Sequence, residues 1–412
     1  MRLTLALAWR NLWRNTRRTL LAAGAIAFMV LLLIFALSMQ FGGYDTMIDH
    51  GAGVMNGHAQ VQHPEYVDNP RMRFTLPGAE RLAASLRELP DVRAVTPRAV
   101  GTALASAGEA SYGALVVGVD PAHEGLVSWL PEAVLEGRYL QLGDHDRAVI
   151  GRILARNLGL TLGDELVLLG VTPDDGMAVL AATVVGIVES QQAELDRTLA
   201  HVPLGLFQEA FEMPDAAHTV AIMYEHHQAA DAGAIRQVID NSAGDAETDV
   251  ALWRRLLPEI ETMIAMDKAS AFVMYGILVA LVAFSIANTF VMMIFERTQE
   301  FGTLLAMGAR PGTLVGTVQL ETLLLALLGA GIGVVLGVLA TYYTGLAGIS
   351  LGAESQQIMA AFQMPERMYF GVQWSIVVIA PLLMIAVTQI AAFIAGRRVH
   401  HMRIVDAVRE EL

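Results

Sequence analysis

The sequence predicts a membrane protein of four transmembrane helices, with a large mixed α+β domain of two lobes inserted between helices 1 and 2. Three observations predict this fold class. The 412 residues are 54% hydrophobic and 17% charged, whereas soluble domains carry about a quarter charged residues. Four apolar runs are long enough to cross the roughly 30 Å hydrocarbon core of a bilayer as helices. A polar, acidic segment separates the first two runs.

The predicted spans are residues 19–44, 268–295, 313–346 and 370–396. Arginines cluster before the first span and after the last, and basic residues near spans stay on the cytoplasmic side. Both termini are therefore predicted to be cytoplasmic. This topology places outside the cell membrane the segment 45–267 and the loop 347–369, and places inside it the segment 296–312 and the tail 397–412.

The outer segment 45–267 carries 33 acidic and 14 basic side chains, a net charge of −19. An acidic body argues against nucleic acid as a partner. Alternating and β-branched runs predict strands, with helices between them. One lobe is expected from the two ends of the segment, and the other from an insertion at about 110–200. Helical spacing in 256–268 continues into the second span, and 41–48 could prolong the first in the same way.

Residues 1–18 have the pattern of an amphipathic helix at the membrane surface. One face carries the apolar side chains Leu5, Trp9, Leu12 and Trp13, and the other carries the arginines Arg10, Arg14, Arg17 and Arg18. Tryptophan suits the headgroup depth and arginine suits phosphate and water. Two interpretations stay open: an anchor that only fixes orientation, or an element that takes part in coupled motion.

The short inner segment 296–312, ERTQEFGTLLAMGARPG, is predicted to be a helix between two spans. It starts with charged side chains and continues with apolar ones that are too few to cross a membrane: Glu296, Arg297, Glu300, Phe301, Leu304, Leu305 and Met307. Gly308 ends the helix and Pro311 starts the next span. Such a short amphipathic helix could receive force from a soluble motor protein, or it could lie flat on the lipid surface.

The third span contains two further features. Glu321 is its one acid, about 10 Å from the inner end by helix rise. It could pair with an arginine or a polar group near the interface, or it could relay protons. Gly329, Gly333 and Gly337 form a ridge of small residues that lets helices approach closely. The ridge could pack against another span, or it could form a helix–helix contact that changes while the protein functions.

Enzymatic signals are lacking. A P-loop needs a lysine after its glycines, and the chain has one lysine, Lys268, in the unsuitable context AMDKAS. There is no cysteine, which excludes thiolate chemistry. The adjacent pairs His226–His227 and His400–His401 have poor spacing for a shared metal. We therefore expect no catalytic residue, no metal and no cofactor in this chain.

The stretch from ERTQEFGTLLAMGARPG through ETLLLALLGAGIGVVLG resembles the signature of the MacB/FtsX/LolC–LolE superfamily of ABC-transporter permeases. The matching positions are Glu296, Arg297, Glu300, Gly302, Ala306, Gly308, Ala309 and Glu321. The opening ALAWRNLWRN resembles the family's elbow helix through Trp9, Arg10, Trp13 and Arg14, and the ending GRRVHHMRIVDAVRE resembles its tail. VRAVTPRAV and LEGRYLQLGDHDRAVIGRILARNLGLTLGDELVLL resemble the family's periplasmic core domain.

The resemblance implies a mechanotransmission permease of the bacterial inner membrane, nearest to the lipoprotein-releasing branch. It implies a dimer with an identical or homologous permease chain, above a cytoplasmic ABC ATPase dimer that binds ATP and Mg. It also implies a lipoprotein, lipid or other amphiphile as cargo, and it allows a periplasmic carrier or adaptor. An FtsX-like regulator of a cell-wall hydrolase, an efflux permease with a separate ATPase, and a receptor without a motor are the alternatives.

Overall fold

The computed structural model describes residues 8–190, 192–242, 247–308, 310–348 and 369–400. The chain divides into two compact units. The helical unit comprises the described residues within 1–43, 265–349 and 367–412, and the sheet unit comprises those within 44–264. The predicted roles of Leu5 and Ala309, most of the loop 347–369 and the tail beyond His400 lie outside the described residues.

The described residues form α-helices and β-strands, which are numbered in chain order. The helices are α1 Thr16–Met55, α2 Ala79–Leu86, α3 Glu124–Val127, α4 Arg152–Leu158, α5 Ala193–Thr198, α6 Leu204–Ala210, α7 Ala232–Ser242, α8 Trp253–Leu256, α9 Pro258–Glu296, α10 Thr298–Ala306, α11 Pro311–Ala347 and α12 Trp374–His400. The strands are β1 Ala59–Gln62, β2 Leu76–Pro77, β3 Val92–Ala107, β4 Ala110–Val119, β5 Val134–Gly137, β6 Arg147–Gly151, β7 Glu165–Val171, β8 Met177–Val188, β9 Leu199–Pro203, β10 Ala216–Ala217, β11 Thr219–Tyr224 and β12 Asp249–Leu252.

Four of these helices, α1, α9, α11 and α12, are long and apolar enough to cross a membrane. The predicted fourth span starts at residue 370, whereas the helix α12 begins at Trp374. Phe370 is needed elsewhere: its backbone and Cβ fill the space beside Gly42 and Gly345, where no further side-chain atom fits. The predicted helical entry into the second span also starts later, because Leu257 breaks the helix and Pro258 occupies the first position of α9.

The glycine ridge of α11 packs against α1. A methyl group on Gly329 would stand 2.7 Å from the carbonyl oxygen of Ala23, and one on Gly333 would stand 2.6 Å from that of Ala27. At Gly337 the nearest atom would be the Cβ of Ile34, at 3.1 Å. The ridge therefore lies against another span of the same chain, as one of the two sequence interpretations expected, and this close approach explains its spacing of four residues.

The sheet unit is built on one ten-stranded sheet with the order β12-β1-β11-β3-β4-β9-β6-β8-β5, while β7 pairs with both β3 and β8. Through β7 the path returns to β3, so six strands (β3, β4, β9, β6, β8 and β7) form a closed ring. Closure removes exposed strand edges from this part of the sheet. The ring surrounds a core that includes Ile150, Leu166, Leu180 and Phe207.

A second core lies under the open part of the sheet, where α2 packs on β3 and β11 and α7 packs on β12. Its buried residues come from both ends of the segment, for example Val61, Leu82 and Ile235. This grouping resembles the expected pair of lobes. Because β3 belongs to both parts and the sheet is continuous, the division into two lobes stays a prediction.

The end of α1 is fixed inside the sheet unit. Gly57, with φ of +70°, ends the helix in a left-handed conformation and donates its N–H to the carbonyl of Ala52 at 2.8 Å. Arg98 on β3 donates to the carbonyl of Met55, the last residue of α1. Arg98 also makes a two-pronged ion pair with Glu124 on α3, with N–O distances of 3.1 and 2.6 Å. Both side chains are buried.

Candidate functional site

The joint between α9 and α10 holds the first part of the site. Glu296 ends α9 rather than starting the inner helix as the sequence suggested, and Arg297 lies between the two helices. The carbonyl of Arg297 accepts the N–H of Phe301 at 2.9 Å. Phe301 and Gly302 are buried, and Phe301 joins the core of the helical unit. The first half of the predicted inner helix is therefore packed, and α10 is held close to the spans.

Glu321 on α11 accepts hydrogen bonds from two other segments of the chain. Arg297 donates Nη1 to both carboxylate oxygens, at 3.2 and 2.9 Å, and both side chains are buried. The Nδ2 of Asn11 donates to Oε1 of Glu321 at 2.8 Å. A buried carboxylate is tolerated when an opposite charge and hydrogen bonds compensate it. Glu321 is thus paired with an arginine and a polar group, as one of the two sequence interpretations expected.

Two further ion pairs lie at the exposed edge of the same cluster. Arg14 Nη2 is 2.8 Å from Oε1 of Glu300 on α10, and both side chains are about half exposed. Arg18 Nη1 is 2.5 Å from Oε2 of Glu296 at the end of α9. We call the seven residues that make these contacts the polar cluster: Asn11, Arg14, Arg18, Glu296, Arg297, Glu300 and Glu321.

The predicted elbow helix supplies three members of the polar cluster. Residues 8–12 are helical and lead through a 3-10 turn, Trp13–Asn15, into α1. The expected apolar face is only partly correct: Leu12 enters the core, whereas Trp9 and Trp13 are half exposed, with their rings edge to face at 5.9 Å. Arg10 is exposed. The tryptophan rings are therefore available to the interfacial region that such side chains favour.

The second half of α10 presents apolar side chains to the surroundings. Phe301 is 6% exposed, but Leu304 is 39% and Met307 71% exposed. Gly308 then ends the segment with φ of +93°, a conformation that favours glycine, and α11 starts at Pro311. The side chain of Leu305 lies outside the described residues. This end of α10 can therefore offer an apolar contact to a partner or to lipid.

Sequence reasoning missed Asn11 and gave Arg18 no specific role. The motif WRN occurs twice, at residues 9–11 and 13–15. Only the first asparagine reaches Glu321, because Asn15 lies in the 3-10 turn and is exposed. The only sequence signal for Asn11 was its position next to the apolar Leu12. Helical periodicity alone does not show whether such a polar side chain is buried or at the surface.

The histidines of the sheet unit do not build a metal centre in the described residues. His58 Nδ1 accepts the N–H of Tyr224 at 3.2 Å, while Nε2 lies 2.9 Å from Asp49. Burial lowers the pKa of His218 to about 4, against a weaker opposing effect of its bond to the Met72 carbonyl. Burial, followed by the charge of Arg98, lowers the pKa of His201 to about 3. These two imidazoles are neutral parts of the core.

Two family profiles match this chain. Residues 19–242 match the family described as MacB-like periplasmic core domain, and residues 272–404 match FtsX-like permease C-terminal. The first match covers more than half of the chain, and the second contains α10 and Glu321. Apart from three residues of the elbow, the polar cluster therefore lies in the permease domain.

Curated relatives agree with these matches. The lipoprotein-releasing system transmembrane protein LolC of Xylella fastidiosa, in strains Temecula1 and 9a5c, is 24% identical over 320 residues, which are 74% of this chain and 75% of the relative. The periplasmic region of MacB from Actinobacillus actinomycetemcomitans is 12% identical, with a TM-score of 0.37, over 51% of this chain and 94% of that one. The extracellular domain of YknZ from Gram-positive bacteria is 19% identical, with a TM-score of 0.35, over 47% and 98%.

Proposed function

Because this chain belongs to the MacB/FtsX/LolC superfamily of ABC-transporter permeases, we propose that it is the membrane subunit of a mechanotransmission machine driven by a separate ATPase. Family members work with cytoplasmic ABC ATPases. The observation that carries the proposal is α10, a short helix whose base is buried and ion-paired while Leu304 and Met307 protrude. A helix that is packed at its start and exposes apolar side chains at its end is suited to transmit force from a docked partner.

The proposed mechanism has three steps. ATP and Mg bind to an ATPase dimer beneath two permease chains, identical or homologous, and the ATPases close. The motion reaches α10 through Leu304, Met307 and the neighbouring Leu305. Because α10 is short and joined directly to α9 and α11, its displacement is passed to both spans, and α9 is a single helix from Pro258 to Glu296. The result is movement of the MacB-like domain on the outer side of the inner membrane.

The proposed cargo is a lipoprotein, a lipid or another amphiphile. This part of the proposal is supported by the similarity to LolC proteins, whose name assigns them to lipoprotein release. A periplasmic carrier or adaptor is a further proposed partner. Regulation of a periplasmic cell-wall hydrolase is the second candidate, and the FtsX-like match supports it.

Purification of the full chain in mild detergent, followed by mass spectrometry of each bound chain and lipid, tests the proposal. We expect a P-loop ATPase to co-purify, together with bound lipid or lipoprotein. A complex that holds the ATPase and a hydrolase but no amphiphile would support the regulatory candidate. A permease that is recovered without any ATPase from membranes that contain one would contradict the proposal.

Substitutions in α10 test the mechanism. Leu304→Asp should reduce ATP-driven transport by at least tenfold, because a charge at an apolar contact loses its hydration on docking. Gly308→Pro should have a similar effect, since proline cannot adopt a φ of +93°. Leu142→Asp is the matched control, because Leu142 is 81% exposed in the sheet unit. Transport at the wild-type level in both α10 variants would exclude α10 as the transmitting element.

A further inference from the structure

The polar cluster connects the elbow to the inner helix by contacts in which the elbow side always supplies the hydrogen-bond donor. The elbow and the start of α1 supply the donors Asn11, Arg14 and Arg18. Their acceptors are Glu321, Glu300 and Glu296, which belong to α11, α10 and the end of α9. Each acceptor lies at least 278 residues further along the chain. The contacts therefore join segments that sequence proximity would not hold together.

Glu321 is the central acceptor of this arrangement. Its carboxylate is buried and is shared between Arg297 at the joint and Asn11 on the elbow. If the joint moved without the elbow, or the elbow without α11, a buried charged or polar group would lose a partner. Loss of a partner inside a low-dielectric site is costly, whereas movement of the whole cluster is not.

We propose that the elbow, residues 8–18, moves with α10 as one body, and that Glu321 is the positioning residue that joins them. This inference rests on the proposed function, since it specifies how force at α10 is distributed. It decides between the two sequence interpretations of the elbow in favour of coupled motion. Its consequence is a third path for force: α1, which follows the elbow directly and continues to Met55, is driven together with α9 and α11.

The first test needs no ATPase. Asn11→Leu keeps the size of the side chain and leaves the Arg297–Glu321 pair intact, so it is expected to fold. Combined with Glu321→Gln in the full chain, it should lower Tm by less than the sum of the two single losses, because glutamine weakens, through loss of the charge, the same contact that Asn11→Leu removes. Asn15→Leu, at the second WRN, is the matched control and should add its effect independently. Additive losses for Asn11 and Glu321 would overturn the proposal.

The second test follows motion in the complex with its co-purified ATPase. The chain has no native cysteine, so single environment-sensitive labels can be placed on the elbow at Arg10→Cys and on α10 at Gln299→Cys. Both positions are exposed. Addition of ATP and Mg should change the emission of both labels in the otherwise native chain. In the Asn11→Leu background the elbow response should fall at least threefold while the α10 response persists.

The outcomes separate this inference from the proposed function. An α10 response with no elbow response in the native background would overturn the inference and leave the proposed function standing. An elbow response that is unchanged by Asn11→Leu would also overturn it. A permease that binds no ATPase would contradict the proposed function, and the Tm comparison would then decide whether the elbow and α11 are joined.

Discussion

Among the described residues, the sheet unit and the helical unit each contain a buried arginine–glutamate pair, and the two pairs are built differently. In the sheet unit, Arg98 uses Nε and Nη2 for the two oxygens of Glu124 and Nη1 for the carbonyl of Met55. In the helical unit, Arg297 uses Nη1 for both oxygens of Glu321, and Asn11 provides an additional donor.

The difference teaches how the same chemistry can serve two purposes. Arg98 uses all three guanidinium nitrogens on partners that define one geometry, including the end of α1, so the pair acts as an anchor. Glu321 on α11 accepts hydrogen bonds from both Arg297 and Asn11, so it links three segments of the chain. These contacts keep the three segments together when any of them is displaced. Buried pairs add little net stability but are costly to break. Both pairs should therefore be sensitive to substitution, for different reasons.

The largest predicted effect is at the anchor. Arg98→Met leaves Glu124 buried without a partner and removes the donor to the Met55 carbonyl, which should cost about 3–5 kcal/mol of unfolding free energy. Denaturant unfolding of the purified full chain measures this loss. Arg93→Met is the matched control: Arg93 lies on the same strand but is exposed, and its loss should cost about 1 kcal/mol or less. Equal losses for the two variants would show that Arg98 is no anchor.

The next prediction concerns acid and distinguishes the sheet unit from the helical unit. His201 and His218 have folded pKa values of about 3 and about 4, below the unfolded value of 6.5. The unfolded chain therefore binds more protons below pH 6.5. Each histidine should lower stability by about 1.4 kcal/mol per pH unit as the pH falls from 6.5 to 5, and its contribution should be constant above pH 7.

Unfolding of the sheet unit followed across this pH range checks the acid prediction. His218→Gln should remove the contribution of one histidine to the slope of unfolding free energy against pH, because glutamine does not titrate. A slope that is unaffected by this change would mean that His218 is protonated in the folded protein.

A smaller effect is expected where α11 packs on α1. Gly333→Ala would place a methyl group 2.6 Å from the carbonyl oxygen of Ala27, and separating the helices should cost about 1–3 kcal/mol. Gly331→Ala is the matched control, since nothing lies within 4 Å of the added atom. Thermal unfolding in detergent compares the two. A Gly331 variant as unstable as the Gly333 variant would contradict the packing of the ridge.

The smallest effect is expected at the exposed edge of the joint. Arg14→Gln removes the half-exposed pair with Glu300 and should change unfolding free energy by about 1 kcal/mol or less, because water and salt screen such pairs. The change should vanish at high salt. A large, salt-independent loss would place the pair in a drier site than its exposure indicates.

The Arg297–Glu321 pair could be anticipated from the sequence much better than the Arg98–Glu124 pair, for a physical reason. A glutamate in an apolar run is conspicuous, and so are three glycines at intervals of four. The ion-pair interpretation of Glu321 and the packing of Gly329 against a span could therefore be anticipated. Arg98 lies in a polar-rich domain, where most arginines are at the surface. Its burial depends on the pairing of β3 with β11 and β4, which no local pattern encodes.

The closure of the strand ring was equally inaccessible to sequence reasoning. The segments of β7 and β8 could be recognised by their alternation, and Asp175, with φ of +60°, makes the tight turn between them. The contact of β7 with β3 joins Leu169 to Leu104, more than 60 residues apart. Such a pairing follows from packing of the whole core, so the sequence predicted the strands and not the ring.

Photo-crosslinking from α10 tests the central claim most directly. A benzophenone amino acid in place of Met307, which is 71% exposed, should form an ATP-sensitive adduct with a P-loop ATPase in intact cells. The same group in place of Leu142, in the sheet unit, should not react with that chain. An adduct with lipid alone from position 307, or an ATPase adduct from position 142, would contradict the assignment of α10 as the surface on which the ATPase acts.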